Sequence, residues 1–127
     1  MSIRKITGVY HADGGLMGEL RYVVGKLRGT SHCALCDVTH GLTGKKAEFV
    51  ACEARLGIPV ELVHLNERTP ELRAFTEGRT PCVVGHGQAG LVMLLSAEAL
   101  DGFGGRVDGF ERALRAALSS LDAPGPG

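Results

Sequence analysis

A chain of 127 residues, 44% apolar and 22% charged, can build one hydrophobic core and is neither disordered nor fibrous in composition. Its 14 basic residues cancel its 14 acidic ones, so no global field steers it toward nucleic acid or an anionic membrane, and no window approaches a membrane span. The opening MSIRKITGVY is too mixed for a signal peptide, so the expected location is cytoplasmic, where thiols stay reduced and four cysteines do not imply a disulfide framework.

In chain order, IRKITGVY (residues 3–10) reads as a first strand, because β-branched and apolar residues dominate it. HADGG (11–15) is a loop. Leu16, Leu20, Val23, Val24 and Leu27 then recur at helical spacing and predict an amphipathic helix whose wet face carries Arg21, Lys26 and Arg28. GTSHCALCDVTHG interrupts that pattern. A second helix is expected from about Gly44 to Leu56, with Thr43 as N-cap, Gly57 as C-terminal stop and Cys52 on its apolar side.

VELVHL (60–65) is the clearest strand. It alternates Val60, Leu62 and His64 against Glu61, Val63 and Leu65. Thr69 and Pro70 form a good helix start for TPELRAF. Two strands, Cys82–Val84 and Leu91–Leu95, are expected around a glycine-rich turn that exposes His86. Ser96 caps a short turn. Asp108 and Glu111 stand at capping-box spacing before Phe110, Leu114, Leu118 and Leu121, which mark a closing helix. One domain is expected over residues 1–121, followed by a flexible tail, DAPGPG, at 122–127.

The chemistry concentrates in SHCALCDVTHG (31–41). Cys33-Ala-Leu-Cys36 has the spacing of a reversible redox pair, with Cys33 as attacking and Cys36 as resolving thiol. A helix N-terminus or a nearby cationic histidine would lower the attacking thiol's pKa. Cys33, Cys36 and His40 also make a Cys-x2-Cys-x3-His set suited to zinc, with His32 as a substitute for His40 and with His11, Cys82, His86 or water as fourth ligand. The third reading is a loop held by packing, since cysteine often serves as a small hydrophobe. All three stay open on the residues alone. Elsewhere, His11 and Asp13 follow the first strand, where open α/β sheets bind ligands, and Gly14 and Gly15 could present amides to an anion. His64 reads as a hydrogen-bonded histidine at the rim of the core, and Cys52 and Cys82 read as buried.

The order of elements, an early β-α-β unit followed by a hairpin and a closing helix, resembles the thioredoxin-like fold: α/β, with a central mixed sheet flanked by helices. In that resemblance Thr80-Pro81, placed before a hydrophobic strand, matches the family's cis-proline loop, so Pro81 joins Cys33 and Cys36 as a site residue. The family's cysteine pair directly follows the first strand. Here HADGG holds that place and the pair comes later in the chain. The pattern YHADGGLMGELRYVVGKL with HCALCDVTHG also resembles a family of small uncharacterised bacterial proteins carrying a Cys-x-x-Cys segment. That second resemblance marks the loop as a candidate site without naming its chemistry; the thioredoxin-like one implies a thiol–disulfide oxidoreductase acting on a protein or small-molecule thiol. A small zinc protein and a non-catalytic thioredoxin-like interaction protein are the alternatives.

Overall fold

The computed structural model describes residues 3–11, 34–41 and 44–122. The helix expected from Leu16, the HADGG glycines, Asp13, Cys33, Thr43 and the last five residues lie outside the described residues.

The centre of the fold is strand β1 (Lys5–Val9). Its residues alternate between two buried faces. Ile6, Gly8 and Tyr10 look one way, and Thr7 and Val9 look the other. Burial on both sides explains why a central strand reads as a nearly continuous apolar run. The chain continues through α1 (Ala34–Thr39), a short hairpin of β2 (His40–Gly41) and β3 (Gly44–Lys45), and α2 (Ala47–Leu56). It returns as β4 (Val60–Val63), then a 3-10 turn (Leu65–Glu67) and α3 (Pro70–Thr76). The hairpin β5 (Cys82–Gly87) and β6 (Gly90–Leu95) follows, and α4 (Ala97–Asp101) and α5 (Val107–Asp122) close the fold.

The four long strands form one sheet in the order β4-β1-β5-β6. β1 runs parallel to β4 and antiparallel to β5, and β5 runs antiparallel to β6. The fold is therefore a mixed sheet flanked by helices. On the first face, Ile6 and Tyr10 pack with Leu35 and Val38 of α1, Phe49 and Cys52 of α2, Leu100 of α4, and Phe110 and Leu114 of α5. The rings of Phe49 and Phe110 stand 5.7 Å apart and tilted, and Phe103 meets Phe110 edge-on at 6.3 Å. On the second face, Val9, Val63, Cys82 and Val84 pack under Leu72 and Phe75 of α3.

Local signals account for most boundaries. Gly57 ends α2 in the left-handed region at φ 69°, as a C-terminal glycine stop should. Thr69 accepts from the Leu72 amide and Ser96 from the Ala99 amide, so both expected caps form. Three expectations are corrected. Helix α2 starts at Ala47 with Lys46 as its N-cap residue, later than Gly44, because residues 44–45 are drawn into the small hairpin. The two hairpin strands absorb most of the glycine-rich stretch and leave only Gln88 and Ala89 between them, so His86 is in a strand and half-buried. Asp108 lies inside α5 and accepts from the Gly109 amide, so it forms no capping box with Glu111.

Glu111 instead ties α5 to α2. Arg55 Nε donates to its Oε2 at 3.1 Å and Arg55 Nη2 to its Oε1 at 2.5 Å, and Arg115 Nε donates to Oε2 at 3.0 Å. The Arg55 hydrogen bonds, with support from Arg115, hold the Glu111 carboxyl down at about 2. A depressed carboxyl stabilises the fold above its ordinary titration range and loses that contribution as pH falls through the folded value. Glu111→Gln is therefore expected to lower the thermal midpoint at neutral pH, with the deficit fading between pH 4.5 and about 2. A deficit that stays constant over that range would show that the charge is irrelevant.

Candidate functional site

The parallel pair β1 and β4 ends at one edge of the sheet, the position where open α/β sheets collect ligands. The Tyr10 amide donates to the Val63 carbonyl at 2.9 Å, so Tyr10 and His64 continue the two strands side by side. Their rings stand 5.0 Å apart. The antiparallel neighbour β5 starts at the same edge, with Cys82 opposite Val9. The residues just before β5 are thereby brought to the end of β1. The Thr80–Pro81 peptide is cis, as the thioredoxin-like resemblance implies. His11 Nδ1 and Thr80 Oγ1 share a hydrogen bond of 2.8 Å, which joins the first residue of the HADGG loop to the proline loop.

Helix α1 reaches this edge from the first face. It carries Ala34, Leu35 and Cys36 of the Cys33-Ala-Leu-Cys36 motif. Leu35, between the two cysteine positions, is fully buried. Gly8 lets it approach: a Cβ built on Gly8 would stand 3.1 Å from Leu35 Cδ2 and 2.8 Å from Leu62 Cδ2. At the other end of α1, Thr39 is buried and its hydroxyl lies 2.9 Å from the Tyr10 hydroxyl. A side chain in the middle of the motif and one a turn later therefore fix α1 against the carboxyl half of β1. The sequence reading expects a loop in this stretch. Leu35 and Val38 stand at helical i, i+3 spacing, a signal masked by the cysteines around Leu35.

His64 forms the second part of the edge. Glu67 Oε1 accepts from the His64 amide at 2.7 Å and from His64 Nδ1 at 2.8 Å. The backbone hydrogen bond and then the side-chain one hold the Glu67 carboxyl below its ordinary range. An ionised carboxylate can only accept, so Nδ1 carries a hydrogen. His64 heads a capping box around the 3-10 turn. His-x-x-Glu in place of Ser/Thr-x-x-Glu is why sequence reading found a rim histidine but not its partner.

Among the predicted site residues, the structure places Pro81 at this edge. Cys36 belongs to α1, and His40 opens β2 opposite Lys45. Cys33 directly precedes α1 in the chain and lies outside the described residues. Cys52 and Cys82 are both fully buried, as expected, and burial pushes each thiol up to about 11. Such thiols are inert toward exchange at neutral pH. Among the described residues, no three His, Cys, Asp or Glu side chains converge as a metal site. No described helix is long and apolar enough to cross a membrane.

A separate histidine sits under the second face. His86 Nε2 and the buried Thr7 Oγ1 are 2.7 Å apart. Burial, and then Lys5, push the His86 pKa down, with Arg4 adding to this and Glu61 and Glu71 opposing it. In the folded state this ring resists protonation that the unfolded chain accepts. Its contribution to stability is complete above the ordinary histidine value of about 6.5 and declines as pH falls below it. The thermal midpoint is expected to drop between pH 7 and 5, and His86→Gln, which keeps an amide for Thr7, is expected to flatten that part of the curve. An unchanged slope would remove His86 as the cause. No family model, curated protein or solved structure matches this chain.

Proposed function

We propose that the chain is a thioredoxin-like thiol–disulfide oxidoreductase whose Cys33–Cys36 pair exchanges with a protein or small-molecule disulfide. The observation that carries the reading is the cis Thr80–Pro81 peptide at the end of β1, with α1, the helix that follows Cys33 in the chain, packed on β1 through Leu35 at Gly8 and Thr39 at Tyr10. The strand order β4-β1-β5-β6, with helices on both faces, α3 being the one on the second face among the described residues, supports the thioredoxin-like assignment. In the chain the pair follows the segment after HADGG rather than β1 itself, which differs from the family's pattern.

The reading requires Cys33 to attack and Cys36 to resolve. Standing ahead of a helix, Cys33 would feel the partial positive charge of unpaired amides, which favours thiolate. The buried Cys52 and Cys82 leave the pair as the reactive thiols. The test is dithiothreitol-driven reduction of insulin, read by turbidity, for the wild type and for Cys33→Ser. The wild type is expected to accelerate precipitation and Cys33→Ser to return it to the uncatalysed rate. Equal rates would end the proposal. Zinc content of untagged protein, purified under reducing conditions, is measured alongside. One tightly held zinc per chain, lost on Cys33→Ser or His40→Ala, would replace the redox reading with a zinc site of Cys33, Cys36 and His40.

A further inference from the structure

We infer that the outer edge of β6 is a self-association surface, which pairs antiparallel with β6 of a second copy of this chain and joins the two sheets into one. This surface stands apart from the thiol chemistry. Strands β4 and β6 are the two edges of the sheet, and among the described residues no strand pairs with the outer side of either. Their chemistry differs. β4 is four residues long and carries the exposed Glu61, and Lys5 Nζ on the neighbouring strand stands 3.4 Å from that carboxylate. Short length and charge are what keep an edge strand from recruiting another. β6 is six residues long, and the stretch from Gln88 to Ser96 around it holds no charged residue and no proline. The formal net charge of the chain is zero, so a second copy meets no global repulsion.

The direction of the β6 peptide groups follows from β5. The Arg4 amide donates to the His86 carbonyl at 3.0 Å, so His86 turns its peptide groups toward β1. Successive residues of a strand alternate the side to which N–H and C=O point. Gly85 and Gly87 therefore turn theirs toward β6, where Val92 and Gly90 are their partners. Leu91 and Met93 are left with N–H and C=O directed away from the sheet. The register shift between Val83 and Val84 ends the regular edge beyond Met93. One antiparallel register suits this short edge: Leu91 opposite Met93 of the second copy, with Val92 opposite itself on the two-fold axis. In it, every outward N–H and C=O of Leu91 and Met93 bonds across the axis, as an isologous contact requires. The side chains agree with the backbone. Leu91 and Met93 lie on the second face, partly buried against the cluster of Val9, Val63 and Val84, and pairing sets each beside its counterpart and covers both further.

One added strand pair buries little surface, so the dimer is weak and depends on concentration. The test is sedimentation velocity of the full chain over a dilution series under reducing conditions, with amide hydrogen exchange read by NMR at both ends of the series. The wild type is expected to pass from monomer to dimer as concentration rises. The Leu91 and Met93 amides are expected to gain protection at least about tenfold on association, while Gly90 and Val92, already bonded to β5, change little. Met93→Pro removes an outward N–H and leaves the β5 ladder intact, because an edge strand tolerates proline where its N–H faces outward. It is expected to weaken association at least about tenfold, since the two-fold axis removes the bond twice. Met93→Ala keeps the N–H and is expected to weaken it by less. A monomer over the whole soluble range overturns the inference, even if an extended segment of another protein is later found at this edge. A dimer whose Leu91 and Met93 amides exchange as in the monomer, or a Met93→Pro dimer as tight as wild type, puts the interface elsewhere and overturns it too. If Met93→Pro does not fold, the wild-type exchange pattern decides alone.

Discussion

Leu35→Ala is expected to cost about 2–5 kcal/mol of folding stability and, well below its melting point, to depress dithiol exchange as well. The stability loss follows from position. Leu35 is fully buried between α1 and the sheet, with its methyls 3.1 and 3.9 Å from the place a Cβ on Gly8 would occupy. Truncation leaves a cavity under a helix of six residues, which has no length with which to hold itself in place. A loss of this size is a large part of the 5–15 kcal/mol typical of a small domain. On the proposed exchange, the functional loss would follow because Leu35 lies between Cys33 and Cys36 in the chain.

Leu100→Ala is the control. Leu100 is equally buried in the same core cluster but belongs to α4. It is expected to lower the chemical-denaturation midpoint comparably while leaving exchange at low temperature near wild type. Val50, half-exposed on α2, is expected to tolerate alanine within about 0.5 kcal/mol. If Leu35→Ala and Leu100→Ala reduce exchange equally, the seating of α1 has no special bearing on the pair. Gly8→Val approaches the same contact from the sheet. Its added methyls meet Leu62 and Leu35, so it is expected to cost about 1–3 kcal/mol by overpacking.

How much of this was readable from residues depended on whether a signal was local. Thr69-Pro70, Ser96 and Gly57 act within their own turn, and each does in the structure what its chemistry suggests. The strands starting at Val60 and Cys82 were legible because apolar and β-branched runs bounded by turn residues leave few alternatives. Helix α1 was not, because two cysteines and a following histidine drew the reading toward ligands and away from the Leu35–Val38 spacing. His86 was misplaced in a turn because glycines on both sides mimic one. The sheet accepts those glycines in strands, and Gly85 faces Ile3 and Leu94 at 3.0 and 3.1 Å from a built Cβ. The His64–Glu67 pair and the His11–Thr80 bond were invisible for different reasons. The first is a capping box with an unusual N-cap residue, and the second joins positions that only the order β4-β1-β5 brings together.

Cys33→Ser and Cys36→Ser are expected to fail in different ways, and that asymmetry is the strongest test of the assigned roles. On the proposed exchange, Cys33→Ser removes the thiol that would open the substrate disulfide, so exchange is expected to return to background with no covalent adduct. Cys36→Ser leaves the attacking thiol in place but removes the one that releases the substrate. Turnover is lost, and a mixed disulfide between Cys33 and the substrate accumulates, detectable as a mass increase that dithiothreitol reverses. The buried Cys52 and Cys82 do not substitute, because their thiols are pushed up to about 11 and sit under α5 and α3, away from solvent. If the adduct instead forms on Cys36 in the Cys33→Ser protein, the two roles are reversed. If neither variant traps substrate, α1 serves packing alone. A trapped Cys33 adduct that dithiothreitol reverses is the result that would give the motif ahead of α1 the proposed chemistry.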